Sequence, residues 1–160
     1  MLPTNLLPIK RILCPIDFSD FSLRALDQAG ELATHFSAEL CVLHVVQSPE
    51  TSFALYPYGG EITWNIADYQ KEVREGAERE LRKIVERSHQ SIEARPLLRE
   101  GNPADEIVSA AELGHIDLIV IATHGLSGWR HLVFGSVAEK VIRLAPCPVL
   151  VLRAAKPEEN

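Results

Sequence analysis

The chain has 160 residues, enough for one domain that buries roughly two-thirds of the surface its unfolded form would expose. With 46% hydrophobic and 24% charged residues, its composition is ordinary for a globular protein and excludes disordered and fibrous classes. A formal net charge of −6 argues against a general nucleic-acid binder, which needs a basic face to displace counterions from phosphates.

Cys14, Cys41 and Cys147 show no CxxC spacing and would leave an odd thiol in any disulfide scheme. That usage suits a reducing compartment, so the cytoplasm is the expected setting. Met1 to Lys10 holds two prolines and reads as neither a signal peptide nor a spanning helix. The most apolar later stretch, Ile116 to Ala122, is broken by Asp117 and is far too short to cross a bilayer. No membrane partner is expected.

Short apolar runs alternate with longer helical patterns. Arg11 to Ile16 reads as a first strand. Leu23, Leu26, Ala29, Ala33 and Phe36 then recur at helical spacing, predicting a helix from about Asp20 to Phe36. Glu39 to Val46 is nearly continuously apolar, as a strand covered on both faces should be. Gln47 to Asn65 follows with Pro49, Pro57 and Gly59–Gly60 as breakers; its aromatics Phe53, Tyr56, Tyr58 and Trp64 suggest a surface cover.

Tyr69, Val73, Ala77, Leu81 and Ile84 mark a second helix running to about His89. Ile92 to Arg99 alternates weakly and carries Pro96, which demotes it to an edge strand. Asn102–Pro103 supplies a capping side chain and a first-turn proline for the next helix, and Gly114 supplies its stop. Asp117 to Ala122 is a buried strand. Ser136 and Glu139 form a capping-box pattern that opens a last helix to about Leu144. Pro148 to Arg153 is the final strand. One domain, residues 1–160, is expected, with its core at about 9–153 and a polar tail at 154–160.

The expected fold is therefore α/β: a doubly wound, Rossmann-like sheet of five parallel strands with helices on both faces. The polar third strand belongs at an edge, which gives the order 3-2-1-4-5 and a reversal between strands one and four. Ligands in such sheets bind beyond the carboxyl ends of the strands that flank the reversal. Those ends are Pro15-Ile16-Asp17 and Ala122-Thr123-His124-Gly125.

From Ala122 the sequence reads ATHGLSGWRHLVFGSVAEKVI, with Gly125, Gly128 and Gly135 between a buried strand and a helix. Glycine lets a ligand approach the backbone, and a helix amino terminus offers unpaired N–H groups with a positive dipole end. Gly135, Ser136 and Val137 are the candidate donors for a phosphate chain. Ser136 also reads as a plain N-cap, and Asp17 as a cap for the helix near Asp20.

Other chemistries find less support. GxxxxGK[ST] and GxSxG are absent. His124 and His131 flank the loop without a Cys or carboxylate at ligand spacing, so no metal site is expected. His44 reads as a hydrogen-bonded core residue, the cysteines as small core residues, and Arg130 as a phosphate contact or a solvated side chain. No general base or nucleophile constellation emerges, so no catalytic residue is assigned.

The glycine loop resembles the ATP-binding signature of the universal stress protein family: a Gly, two residues, a Gly, nine residues, then Gly-Ser or Gly-Thr. Gly125, nine residues and Gly135-Ser136 match it, and Ala122 stands where the first glycine would be. PIDFSDFS, LCVLHV and GSVAEKVIRLAPCPVLVLR extend the likeness over nearly the whole chain.

The resemblance implies an ATP-binding regulatory module, with or without Mg2+. Asp17 would hold the adenosine part, with Pro15 and Ile16 lining that pocket. Leu40 would contact adenine through its backbone, Ala122 and Gly125 would border ribose and phosphates, and Gly135, Ser136 and Val137 would hold the phosphates. It also implies a homodimer paired through the last strand, Pro148 to Leu152. The alternatives are a nucleotide-free interaction module of the same fold and an enzyme of a related nucleotide-binding α/β class.

Overall fold

A computed structural model describes residues 7–47, 66–88, 93–123 and 135–153. Among them, five strands and four helices alternate: β1 (Arg11–Pro15), α1 (Asp20–Phe36), β2 (Glu39–Val46), α2 (Ile66–Ser88), β3 (Ala94–Glu100), α3 (Pro103–Leu113), β4 (Leu118–Ala122), α4 (Ser136–Leu144) and β5 (Val149–Leu152). All four strand pairings are parallel. The strand order is β3-β2-β1-β4-β5, as the sequence predicts, with the reversal between β1 and β4.

The interior strands are apolar on both sides because both sides are covered. Ile12, Cys14, Leu40, Val42 and Val120 pack with Ala25, Leu26, Ala29 and Ala33 of α1 and Leu81 and Val85 of α2. Leu13, Leu43, Ile119 and Ile121 pack with Ala104, Ile107, Ala110 and Ala111 of α3 and Ala138 and Val141 of α4. Each fully buried leucine or isoleucine contributes about 1.5–3 kcal/mol, and Ile12, Leu13, Leu26, Leu40, Leu43, Leu81 and Ile119 are all in that class. The three cysteines are buried free thiols within these layers.

Strand boundaries shift by one or two residues from the sequence reading. Asp117 stands just before β4, and its Oδ2 accepts from the Lys10 and Arg11 amides at 2.8 and 2.9 Å, fixing the start of β1. β1 ends at Pro15, one residue earlier than expected. Pro96 sits opposite Val42 in the β2–β3 ladder. The Leu40 amide donates to the Glu93 carbonyl, so alternation directs the backbone of Pro96 to the outer edge, where a missing N–H costs no ladder bond.

Helix ends follow local chemistry. Asn102 Oδ1 accepts from the Ala104 and Asp105 amides at 3.1 and 3.3 Å, capping α3 as predicted. Gly114 is the C-cap, yet the left-handed residue is His115 (φ 49). The His115 and Ile116 amides return to the Glu112 and Ala111 carbonyls, the bond pattern of a Schellman turn. No helix of the described residues is long and apolar enough to cross a membrane.

Candidate functional site

Beyond the carboxyl ends of β1, β2 and β4 lies a cleft of about 860 Å³. Pro15, Ile16, Asp17 and Phe18 of the β1–α1 turn form one wall, and Leu43 to Gln47 close β2 against it. Ile121, Ala122 and Thr123 with Gly135 to Ala138 form another wall, and Val73, Gly76, Ala77 and Glu80 of α2 with Pro103 and Ile107 complete the lining.

The β1–α1 turn is built around Asp17. Its Oδ1 accepts from the Ser19 amide at 3.1 Å and from the Ser19 hydroxyl, while its own amide donates to Ser22 Oγ at 3.2 Å. Ser19, not Asp17, caps α1: its oxygen accepts from the Ser22 amide at 3.3 Å. Asp17 therefore braces the cap residue while lining the cleft. The next residue, Phe18, takes the left-handed region at φ 65, a conformation rare for bulky side chains and often kept at functional sites.

Across the turn, the His44 ring stacks on Phe18 with centroids 4.0 Å apart and planes at 29°. His44 Nδ1 lies 2.8 Å from the Ile16 carbonyl. A carbonyl can only accept, so Nδ1 carries the proton. Burial holds this imidazole below its ordinary pKa, while the Ile16 bond and the Asp17 charge pull weakly the other way. His44 is hydrogen-bonded, as the sequence suggests, but it also lines the cleft.

The opposite wall differs from the capping-box expectation. Gly135, not Ser136, is the N-cap of α4 (φ −70, ψ 153), and no side chain caps the helix. The Gly135 amide is committed, donating to the Thr123 carbonyl at 2.7 Å. A Cβ on Gly135 would stand 3.0 Å from the Thr123 oxygen, a tight contact that favours glycine here. Ser136, Val137 and Ala138 are the first helical residues, and their N–H groups have no intrahelical acceptor. They border the cleft.

Of the predicted site residues, Pro15, Ile16, Asp17, Ala122, Gly135, Ser136 and Val137 all line this cleft. Gly125 lies outside the described residues, as do His124, Arg130, His131, segment 48–65 and tail 154–160. Leu40 is a correction. It is fully buried, pairs with Ile12 three residues before the end of β1, and packs in the α1 layer away from the cleft. The β2 residues that reach the site are Leu43 to Gln47. The rule that located the ends of β1 and β4 also points to them. Thr123 lies at the β4 end that the topology named, whereas Phe18 and the α2 stripe had no such signal, apart from Gly76, a glycine inside a charged helix.

Among the described lining residues there is no lysine or arginine. An anion at the α4 end would therefore meet backbone N–H groups and the positive end of the helix dipole. Ser22 donates its hydroxyl proton to the Ser19 carbonyl at 2.9 Å, and His44 donates to Ile16. Burial raises the cysteine pKa values, Cys147 to about 11, with Cys14 and Cys41 raised by the same cause. No group of three or more His, Cys, Asp or Glu among the described residues could hold a metal.

The sequence profile of the Universal stress protein family matches residues 8–153. Universal stress protein MJ0531 of Methanocaldococcus jannaschii is 40% identical over 151 residues, covering 93% of this chain and 85% of its own. The solved structure of protein MJ0577, also from Methanocaldococcus jannaschii, superposes with a TM-score of 0.78 at 26% identity, over 93% of this chain and 99% of that one. A universal stress protein solved in complex with cAMP matches with a TM-score of 0.63 at 26% identity (90% and 97% covered). The Archaeoglobus fulgidus protein in complex with dAMP matches with a TM-score of 0.52, also at 26% identity and with the same coverage.

Proposed function

The chain belongs to the universal stress protein family, and we propose that it is a regulatory module that binds an adenine nucleotide, foremost ATP, in the cleft between β1 and β4. One observation carries this reading: the open amides of Ser136 and Val137 and the carboxylate turn at Asp17 border a single cleft of about 860 Å³. That volume suits a nucleotide. The phosphates rest on the α4 amino terminus, where Gly135 keeps the backbone accessible, with Gly125 contributing from the adjoining loop. Asp17 serves the ribose, with Pro15, Ile16 and Ala122 beside it.

The base lies at the end of β2. The ladder to β1 stops at the Pro15–Leu43 pair, and Val45 is the next residue whose backbone faces that side. An N–H beside a C=O matches the ring acceptor and exocyclic amine on one edge of adenine. Guanine presents the reverse pattern there. Any Mg2+ would arrive with the phosphates and keep much of its water, since the described lining offers only Asp17 and Glu80 as carboxylates. Relatives solved with cAMP and dAMP support the ligand class.

The same reading takes residues 9–153 as one domain working in the cytoplasm as a homodimer joined along β5. The test is calorimetry with ATP, AMP, GTP and tripolyphosphate, together with mass spectrometry of any ligand released by denaturation. Micromolar-range binding of ATP, weaker binding of GTP, and retained binding of tripolyphosphate are expected. Failure of every nucleotide to bind would leave an interaction module without a ligand.

A further inference from the structure

The Ile16 amide donates to the Leu43 carbonyl at 2.8 Å, continuing the β1–β2 ladder by one bond. In a regular parallel pair the next bond would join the Ile16 carbonyl to the Val45 amide. The Val45 amide makes no such bond among the described residues. The Ile16 carbonyl instead accepts from His44 Nδ1 at 2.8 Å. The same imidazole stacks on Phe18, whose backbone is left-handed at φ 65.

Resting on the adenine-nucleotide reading above, we propose that His44 is a positioning residue: by taking the Ile16 carbonyl it ends the ladder early and leaves the Val45 amide open to the base. The side chain substitutes for a backbone donor. It holds Ile16 and Phe18 in place through one hydrogen bond and one stacking contact, so the carbonyl is satisfied and the turn is fixed before a ligand arrives. Without the imidazole donor, the unsatisfied Ile16 carbonyl would take the next amide in the ladder register, that of Val45. The base edge would lose its donor while the phosphate end stayed intact.

Two variants separate the contacts. His44→Phe keeps a ring against Phe18 but has no donor. His44→Asn places an amide N–H close to where Nδ1 stood. In His44→Phe, exchange of the Val45 amide should slow about tenfold and ATP affinity should fall about tenfold, the scale of one hydrogen bond. Tripolyphosphate affinity should not change. His44→Asn should restore the fast Val45 exchange and most of the ATP affinity. Thermal unfolding of each variant identifies any loss of fold.

Equal Val45 exchange in wild type and His44→Phe would overturn the proposal, and so would a matching loss of tripolyphosphate affinity. Failure of the nucleotide reading looks different. Wild-type protein would then bind no nucleotide, which overturns the ligand half of the proposal, and Val45 exchange alone would decide the ladder half.

Discussion

The Gly135 amide donates to the Thr123 carbonyl at 2.7 Å, so the first contact of α4 with the sheet is made by its cap residue. The bond aligns the helix amino terminus with the carboxyl end of β4. A side chain at Gly135 meets the Thr123 oxygen before it meets any phosphate, since its Cβ would stand only 3.0 Å away. Gly135→Ala should therefore cost about 1–3 kcal/mol, the usual range for overpacking, even without ligand. It should also weaken tripolyphosphate and ATP alike. Apo thermal unfolding together with calorimetry checks this, and an unchanged apo melting temperature would mean that the glycine serves the ligand alone.

Gly76 behaves in the opposite way. It sits inside α2 and lines the cleft. A Cβ there would have Arg79 Nη2, 4.0 Å away, as its nearest neighbour. Packing does not require this glycine, and helix propensity disfavours it. Gly76→Ala should stabilise the protein by up to about 1 kcal/mol. Gly76→Phe should leave stability near that of wild type while filling the cleft and lowering ATP affinity. If Gly76→Phe bound ATP normally, the α2 side of the cleft would stand apart from the nucleotide site.

The alternation of apolar runs and helical periods made the order of elements and the strand order legible, because a parallel sheet covered on both faces imposes that pattern. Pro96 identified the edge strand correctly, since its outward backbone needs no ladder bond. Topology pointed to the cleft, since Asp17 and Ala122 lie at the strand ends that line it. Leu40 lies away from the cleft because its pairing with Ile12 places it in the middle of the sheet, a register with no local signature in the sequence. The Ser136–Glu139 pattern also misled. A hydroxyl three residues before a glutamate reads as a cap, but the Thr123 bond moves the cap back to Gly135. That tertiary contact has no local signature.

His44 gives a pH dependence of defined sign. Its folded-state pKa lies below the ordinary 6.5, with burial as the leading cause. The unfolded chain then binds the proton more readily, so stability rises with pH across the window below 6.5. This contribution is complete above that value and is lost as pH falls toward the lowered folded value. His44→Asn removes the titration. Urea unfolding at pH 8 and pH 5 should show wild type losing more stability on acidification than the variant does. An equal loss in both would show that burial does not penalise the charged ring.

The outer face of β5 bears on assembly. The Thr123 and Ile119 amides donate to the Leu152 and Pro148 carbonyls, so the backbone of the even-numbered residues faces β4. The N–H groups of Val149 and Val151 consequently point outward along the sheet edge. Leu150 of β5 and Ile142 and Leu144 of α4, the helix that precedes it, are 38%, 43% and 47% exposed. An uncharged, apolar edge invites pairing, and a two-fold axis would satisfy it with a second copy. Val151→Pro removes an outward donor and should yield monomers that melt near the wild-type temperature. Leu150→Pro removes an inward donor and should unfold the edge of the sheet instead. Sedimentation velocity at micromolar concentration reads both. A wild-type monomer would rule out the β5 interface, and a Val151→Pro dimer would move it to another surface.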